Sequence, residues 1–220
     1  MNRVTGLLFL LCTVLIVDLS HAQWKAGAIG GWNFTNARRE LEPKGRTLFG
    51  IGGVVEYDLD SRYSLVAEPM YLQKGFIHLV PGTETEMTVT TAYIELPVFL
   101  KFRLPIGEFV RPFFILGSSA GYRLKAEVEV DLSGIPFKGD LKNVTVPFDM
   151  SLCAGGGLEI AFKSFSTLIE CRYSYGLWDQ RKNGVFQATG GGFTVSGTVT
   201  DEEWMKYTGI QLMVGIIVPL

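Results

Sequence analysis

Histidine and cysteine are nearly missing from this chain, with two His and three Cys in 220 residues. His21 and Cys12 fall in an N-terminal apolar segment, which leaves His78, Cys153 and Cys171 for the rest. One histidine and two dispersed cysteines do not make a metal-ligand spacing, so no metal or cofactor is expected. A Ser-His-acid arrangement would have to use His78, which lies in an expected connecting loop with no strand-borne serine beside it. The carboxylates on expected strands have salt-bridge roles open to them, so acid–base catalysis is not implied and the chain is not expected to be an enzyme. A formal net charge of −2 argues against a nucleic-acid partner, since phosphate binding wants a basic surface. A second long apolar run is also lacking, so no helical membrane span is expected beyond the N-terminus. No segment carries a helical period.

The N-terminal segment has the anatomy of a secretory signal peptide. Asn2 and Arg3 precede the apolar run Gly6 to Val17, and Ser20-His21-Ala22 forms a small-x-small cleavage site. The run is too short for a transmembrane helix, which needs about 20 residues. Cys12 lies inside the run, which argues against lipoprotein processing. Residues 1–22 are therefore expected to be removed, and residues 23–220 to form one domain.

What is present is alternation. Across 90–104 (TTAYIELPVFLKFRL), Ala92, Ile94, Leu96, Val98, Leu100, Phe102 and Leu104 alternate with Thr91, Tyr93, Glu95, Pro97, Phe99, Lys101 and Arg103. Successive strand side chains point to opposite faces, so this segment has one apolar and one ionic face. At fifteen residues it is long against a usual strand of about five or six. Strands are expected at 24–33, 47–57, 63–74, 87–104, 110–128, 148–162, 166–178 and 207–218. Within 110–128 the apolar parity reads Phe114, Leu116, Ala120, Tyr122, Leu124, Ala126 and Val128.

The connections 58–62, 105–109 and 163–165 are short; 34–46, 75–86, 129–147 and 179–206 are long. Short and long alternate without exception. In an up-and-down barrel this gathers the short turns at one rim and the long loops at the other, the asymmetry of outer-membrane barrels. Alternation alone leaves open which face is inside, and a soluble lipocalin-like ligand-binding barrel would bury the apolar face. The export signal, the loop asymmetry and aromatics near strand ends (Trp24, Trp32, Phe34, Tyr57, Tyr63, Tyr71, Phe102, Tyr173, Tyr175, Trp178) favour the inverted arrangement. The fold class expected is therefore all-β, an eight-stranded antiparallel up-and-down transmembrane β-barrel.

The ordered set AYIELPVFLKFRL, RPFFILGSSAGYRL, AGGGLEIAF, ECRYSYGLWD and YTGIQLMVGIIVPL resembles the PorT-like outer-membrane β-barrel family of Bacteroidetes-type bacteria. That resemblance implies an eight-stranded barrel in the bacterial outer membrane, surrounded by outer-membrane lipid and without an assigned activity; some relatives are implicated in protein secretion. The C-terminus is similar to the recognition signal for the barrel-assembly machinery, through Gly215, Val218 and Leu220. It departs from the common form in ending without an aromatic residue and in carrying Pro219, which a strand terminus tolerates.

The ionic parity holds Glu56, Glu68, Glu95, Lys101, Arg103, Arg111, Arg123, Lys125, Glu159, Glu170 and Arg172. Facing inward in a narrow barrel, these groups are expected to form a cross-strand ion-pair network that plugs the lumen. A small-solute pore lined by the same residues is the alternative, with a lipid-modifying enzyme a further one. Gly155-Gly156-Gly157 and Gly190-Gly191-Gly192 lack the context of a phosphate-binding loop; the first is expected to allow sharp curvature or close side-chain packing, the second loop freedom. On a hairpin closed near Ser164, Cys153 would face Gly176 and Cys171 would face Leu158. The sulfurs would then lie about 16 Å apart, beyond disulfide reach. Within 179–206, VFQATGGGFTVSGTV is suited to a β-hairpin whose edge could take an extracellular or secretion-system protein partner.

Overall fold

The structure, a computed structural model, describes residues 24–38, 43–79, 85–107, 109–132, 135–199 and 205–220. The expected signal peptide lies outside them. Among the described residues there are twelve strands: β1 (Trp24–Arg38), β2 (Lys44–Asp58), β3 (Tyr63–Ala67), β4 (Met70–Leu79), β5 (Glu86–Arg103), β6 (Val110–Leu132), β7 (Ile135–Asp140), β8 (Phe148–Ala161), β9 (Ser166–Gly176), β10 (Gly184–Gly190), β11 (Phe193–Val199) and β12 (Lys206–Pro219). The only helical element among these residues is a 3-10 turn at Lys142–Val144. None of these elements is a helix able to cross a membrane.

All strand pairings are antiparallel, and they run β6-β8-β9-β12-β1-β2 to β3 and β4, then to β5 and back to β6. The result is an all-β, up-and-down, barrel-like fold. Four strands exceed the expected eight for two reasons. Pro69 cannot donate to a ladder, so the third expected strand is split there into β3 and β4, both of which pair with β2 and β5. The other three, β7, β10 and β11, lie in segments expected to be loops and extend the sheet from β6 in the order β6-β7-β10-β11. His78 likewise stands on β4, opposite Met87, rather than in a loop.

The expected polarity of the faces holds. Leu116, Ile94, Leu152, Ile169, Val214 and Ile216 project outward with 46–66% of their surface exposed. Inward lie both ionic groups and an apolar set that includes Ile29, Val54, Met70, Leu72, Phe99, Phe113, Ile115 and Met213. Near the short turns Trp24 packs on Tyr57 and Tyr63 on Phe102, with ring centroids 4.7 and 5.1 Å apart. Toward the other end Phe49 meets Tyr71 and Tyr122 meets Phe148, at 5.7 and 5.3 Å. Two aromatic belts therefore flank the apolar band, as at the two interfaces of a membrane barrel.

Two register expectations need correction. Ala161 pairs with Ser166, so Cys153 faces Ser174 and Cys171 faces Gly156, two residues from the expected alignment. Cys153 is buried, Cys171 is exposed on the outer face, and both thiols are free. The second correction lies on β6. Ala92 pairs with Lys125 but Tyr93 pairs with Arg123, so Leu124 is an extra residue in the ladder. This bulge reverses the parity beyond it. Ala126 and Val128 turn inward and are buried, while Lys125 and Glu127 turn outward.

Candidate functional site

The ionic groups of the interior form three tiers. Nearest the short turns, Lys101 Nζ on β5 lies 2.9 Å from Glu56 Oε2 on β2 and 2.7 Å from Glu159 Oε2 on β8. Arg103 adds Glu56, Glu159 at 3.2 Å and Asp58 at 2.6 Å. Lys25 reaches Glu56 at 3.1 Å and Asp58 at 2.9 Å. Three cations meet three carboxylates here. In the middle tier Arg172 binds Glu68 and Glu170, and its Nε donates to Gln211 Oε1 at 2.6 Å. In the upper tier Lys74 pairs with Glu95 and with Asp149 at 2.7 Å, while the Ser119 hydroxyl donates to Glu95 Oε2 at 2.9 Å.

Eight of the eleven expected lumen residues are brought into these tiers and buried: Glu56, Glu68, Glu95, Lys101, Arg103, Glu159, Glu170 and Arg172. Desolvating a charge is costly unless it is paired and hydrogen-bonded, which is what the cross-strand geometry supplies. Aromatic faces add to it: Lys101 lies 4.5 Å from the Phe113 ring centre and Arg172 5.0 Å from that of Phe99.

The other three differ. Arg111 is half-buried and lines a cavity of about 420 Å³ at the short-turn mouth with Lys25, Asp60, Arg62 and Arg103. Arg123 is half-buried and binds carbonyls rather than carboxylates, donating to Thr145 O at 2.7 Å and Lys142 O at 3.2 Å. Lys125 is exposed by the bulge and pairs with Glu127 at 2.8 Å on the outer surface. Of the expected assembly-signal residues, Gly215 faces inward against Ile29, while Val218 and Leu220 are exposed. Leu220 N donates to Trp24 O at 2.8 Å.

Sequence reasoning missed Lys25, Asp58, Lys74 and Asp149. Lys74 shares the even parity of Glu68 and Asp149 the odd parity of Glu159, so both were within reach of the alternation. Gln180 had no such signal, since it belongs to the connection after β9. It is fully buried; Tyr93 OH donates to its Oε1 at 2.9 Å, and its Nε2 donates to Asp149 Oδ1 at 3.0 Å. Its backbone is held by Met205 O at 2.8 Å and Val146 N at 3.0 Å. Two loop segments thus cross the barrel end above the Lys74 tier, with Thr145 bridged to Arg181. Thr145 and Arg181 also line an apolar cavity of about 80 Å³, together with Phe76, Met87, Val128 and Phe186.

Residues 19–180 match the outer membrane protein beta-barrel domain. Among solved structures, a major outer membrane protein from Thermus thermophilus superposes with a TM-score of 0.55 at 10% identity, over 90% of this chain and 99% of that one. Neisserial surface protein A gives a TM-score of 0.48 at 12% identity, covering 90% and 99%. Ail, the attachment invasion locus protein of Yersinia pestis, gives 0.42 at 14%, covering 89% and 98%. At such identities the Thermus likeness speaks for the fold alone. No curated protein matches the chain.

Proposed function

The chain belongs to the outer membrane protein β-barrel domain family, and on that premise we propose that it spans the bacterial outer membrane as an eight-stave barrel with a sealed interior. Its role in this reading is structural or interactive rather than enzymatic. β3 and β4 count as one interrupted stave, and β7, β10 and β11 as an extension beyond the membrane. The narrower PorT-like resemblance fits this reading, as do cleavage after Ala22 and assembly through Gly215, Val218 and Leu220.

One observation carries the proposal: buried ion pairs fill the inside while large apolar side chains cover the outside. A soluble ligand-binding barrel has the opposite polarity, since exposing such a band to water forfeits about 25 cal/mol for every Å² left unburied. The three tiers bridge opposite walls and argue for a plug rather than a pore. The working surface is then the extracellular side, above all the hairpin within 179–206, which is suited to an extracellular or secretion-system protein partner.

Purified folded protein in planar bilayers is expected to give no stable channels. Stable conductance whose ion selectivity changes in Glu95→Gln would overturn the sealed interior. Fractionation tests the membrane assignment separately. The protein is expected with outer membranes and with a heat-modifiable gel mobility; recovery as a soluble periplasmic protein without that shift would refute it.

A further inference from the structure

β11 pairs only with β10 among the described residues, over seven rungs without a bulge. Among the described residues its outer edge therefore has no backbone partner. Proteins usually blunt such an edge with charge, proline or a bulge. β11 reads FTVSGTV and has none of these. Gly191 and Gly192, at φ +55° and +82°, make the two-residue turn, so Phe193 next to it exchanges both backbone hydrogen bonds with Gly190. Bonding direction alternates along an antiparallel strand. Phe193, Val195, Gly197 and Val199 bond to β10, whereas Thr194, Ser196 and Thr198 turn their N–H and C=O groups to the free edge.

We propose that two copies of this chain pair through β11, antiparallel and edge to edge, about a two-fold axis at Ser196. The inference rests on the reading of β10–β11 as standing outside the membrane. In this register Ser196 faces its own copy, Thr194 faces Thr198, and Phe193 faces Val199. All three outward residues then meet outward residues, so their donors and acceptors are satisfied together. A shift of one residue puts the bonding groups out of phase, and a shift of two loses a rung at one end. Opposed threonines are a favourable cross-strand pair, and no like charges face each other. An isologous contact of this kind closes at two copies.

A seven-residue edge buries less than the roughly 1,200–2,000 Å² of a standard stable interface. The pair is accordingly weak in dilute detergent and favoured by confinement in a membrane, where the effective concentration is high. Covalent capture suits it better than a mass measurement.

The test uses the protein from residue 23 onward, refolded in liposomes, with Cys171→Ser as background and Cys153 left buried. Folding of each variant is checked by its heat-modifiable mobility. Under mild oxidation Ser196→Cys is expected to give a reducible dimer band, and Lys138→Cys, exposed on β7 on the far side of β10, to give none. Thr194→Cys or Thr198→Cys alone is expected to cross-link poorly, because each is then four residues from its copy, about 13 Å along the strand. Mixed together, the two are expected to cross-link well. Adding Ser196→Pro to that mixture removes an edge-facing donor without touching the hairpin bonds, and is expected to abolish the band. Folded Ser196→Cys protein with no more dimer than Lys138→Cys would overturn the proposal, as would Thr194→Cys alone cross-linking as well as Ser196→Cys. Either result leaves the sealed membrane barrel standing, because that reading is judged by conductance and fractionation.

Discussion

Arg172 on β9 and Glu68 between β3 and β4 meet across the barrel, 104 residues apart in sequence and at opposite positions in the pairing circuit. Each is about 1% exposed, and Glu170 shares the same guanidinium at 3.0 Å. The contact ties β9 to the β3–β4 junction, where Pro69 interrupts the ladder.

Arg172→Ala is therefore expected to be severely destabilising, because it strands two carboxylates in the interior. Removing one partner of a buried pair costs about 3–5 kcal/mol. Urea unfolding in detergent, followed by tryptophan fluorescence and gel mobility, checks this. The triple variant Arg172→Met, Glu68→Gln, Glu170→Gln is expected to recover much of the loss, since no uncompensated charge remains.

Lys101→Gln and Lys125→Gln are expected to part company. Strand parity alone puts both side chains in the lumen. In the structure Lys101 sits between Glu56 and Glu159 in the interior, while Lys125 makes an exposed pair with Glu127. The first substitution breaks a buried network, and the second an exposed pair worth about 0–1 kcal/mol. Equal losses in unfolding midpoint would count against the bulge at Leu124.

That contrast marks how far the sequence could be read. Period-two alternation is dictated by backbone geometry, so Glu56, Glu159 and Arg172 were legible one strand at a time. A bulge adds one residue with no compositional mark, so nothing in RLKAEVEV announces that parity reverses after Arg123. Lys74 and Asp149 lay on the readable parity but close to expected strand ends. Gln180 enters the interior from a connection, where its position depends on Tyr93, Asp149 and Met205, residues distant in sequence. Pro69 carries the signal that splits β3 from β4, although one strand was expected over 63–74, whereas the pairing of β10 with β7 through Ala188 and Gly139 depends on tertiary approach.

Asp60 gives a pH-dependent contribution outside the spanning strands. It sits in the turn between β2 and β3, where Arg62 N and Tyr63 N donate to its Oδ1 at 2.6 and 2.8 Å. Those backbone hydrogen bonds favour the carboxylate and lower its pKa below the ordinary value. Because the folded pKa lies below the unfolded one, the stabilisation is complete above the unfolded carboxyl pKa and disappears as pH falls through the folded value. Asp60→Ala is expected to lower the unfolding midpoint at pH 7, with the gap from the parent narrowing in acid. A gap that widens on acidification would contradict this assignment.

Cys171 reports which solvent the outer face meets. It is exposed between Ile169 and Tyr173 on β9, whereas Cys153 is turned inward and buried. A side chain that faces hydrocarbon is out of reach of a charged reagent confined to water. A membrane-impermeant maleimide is therefore expected to label neither cysteine in folded protein held in liposomes, and both after unfolding in urea. If the apolar band faced water, Cys171 would be accessible and would label quickly in the folded state while Cys153 stayed protected. A cysteine introduced at exposed Lys138 supplies the positive control, labelling in the same vesicles whenever the loop side faces outward. Rapid modification of Cys171 in folded liposome-bound protein would mean that the outward face of β9 is wet, which the inverted polarity of this barrel does not permit.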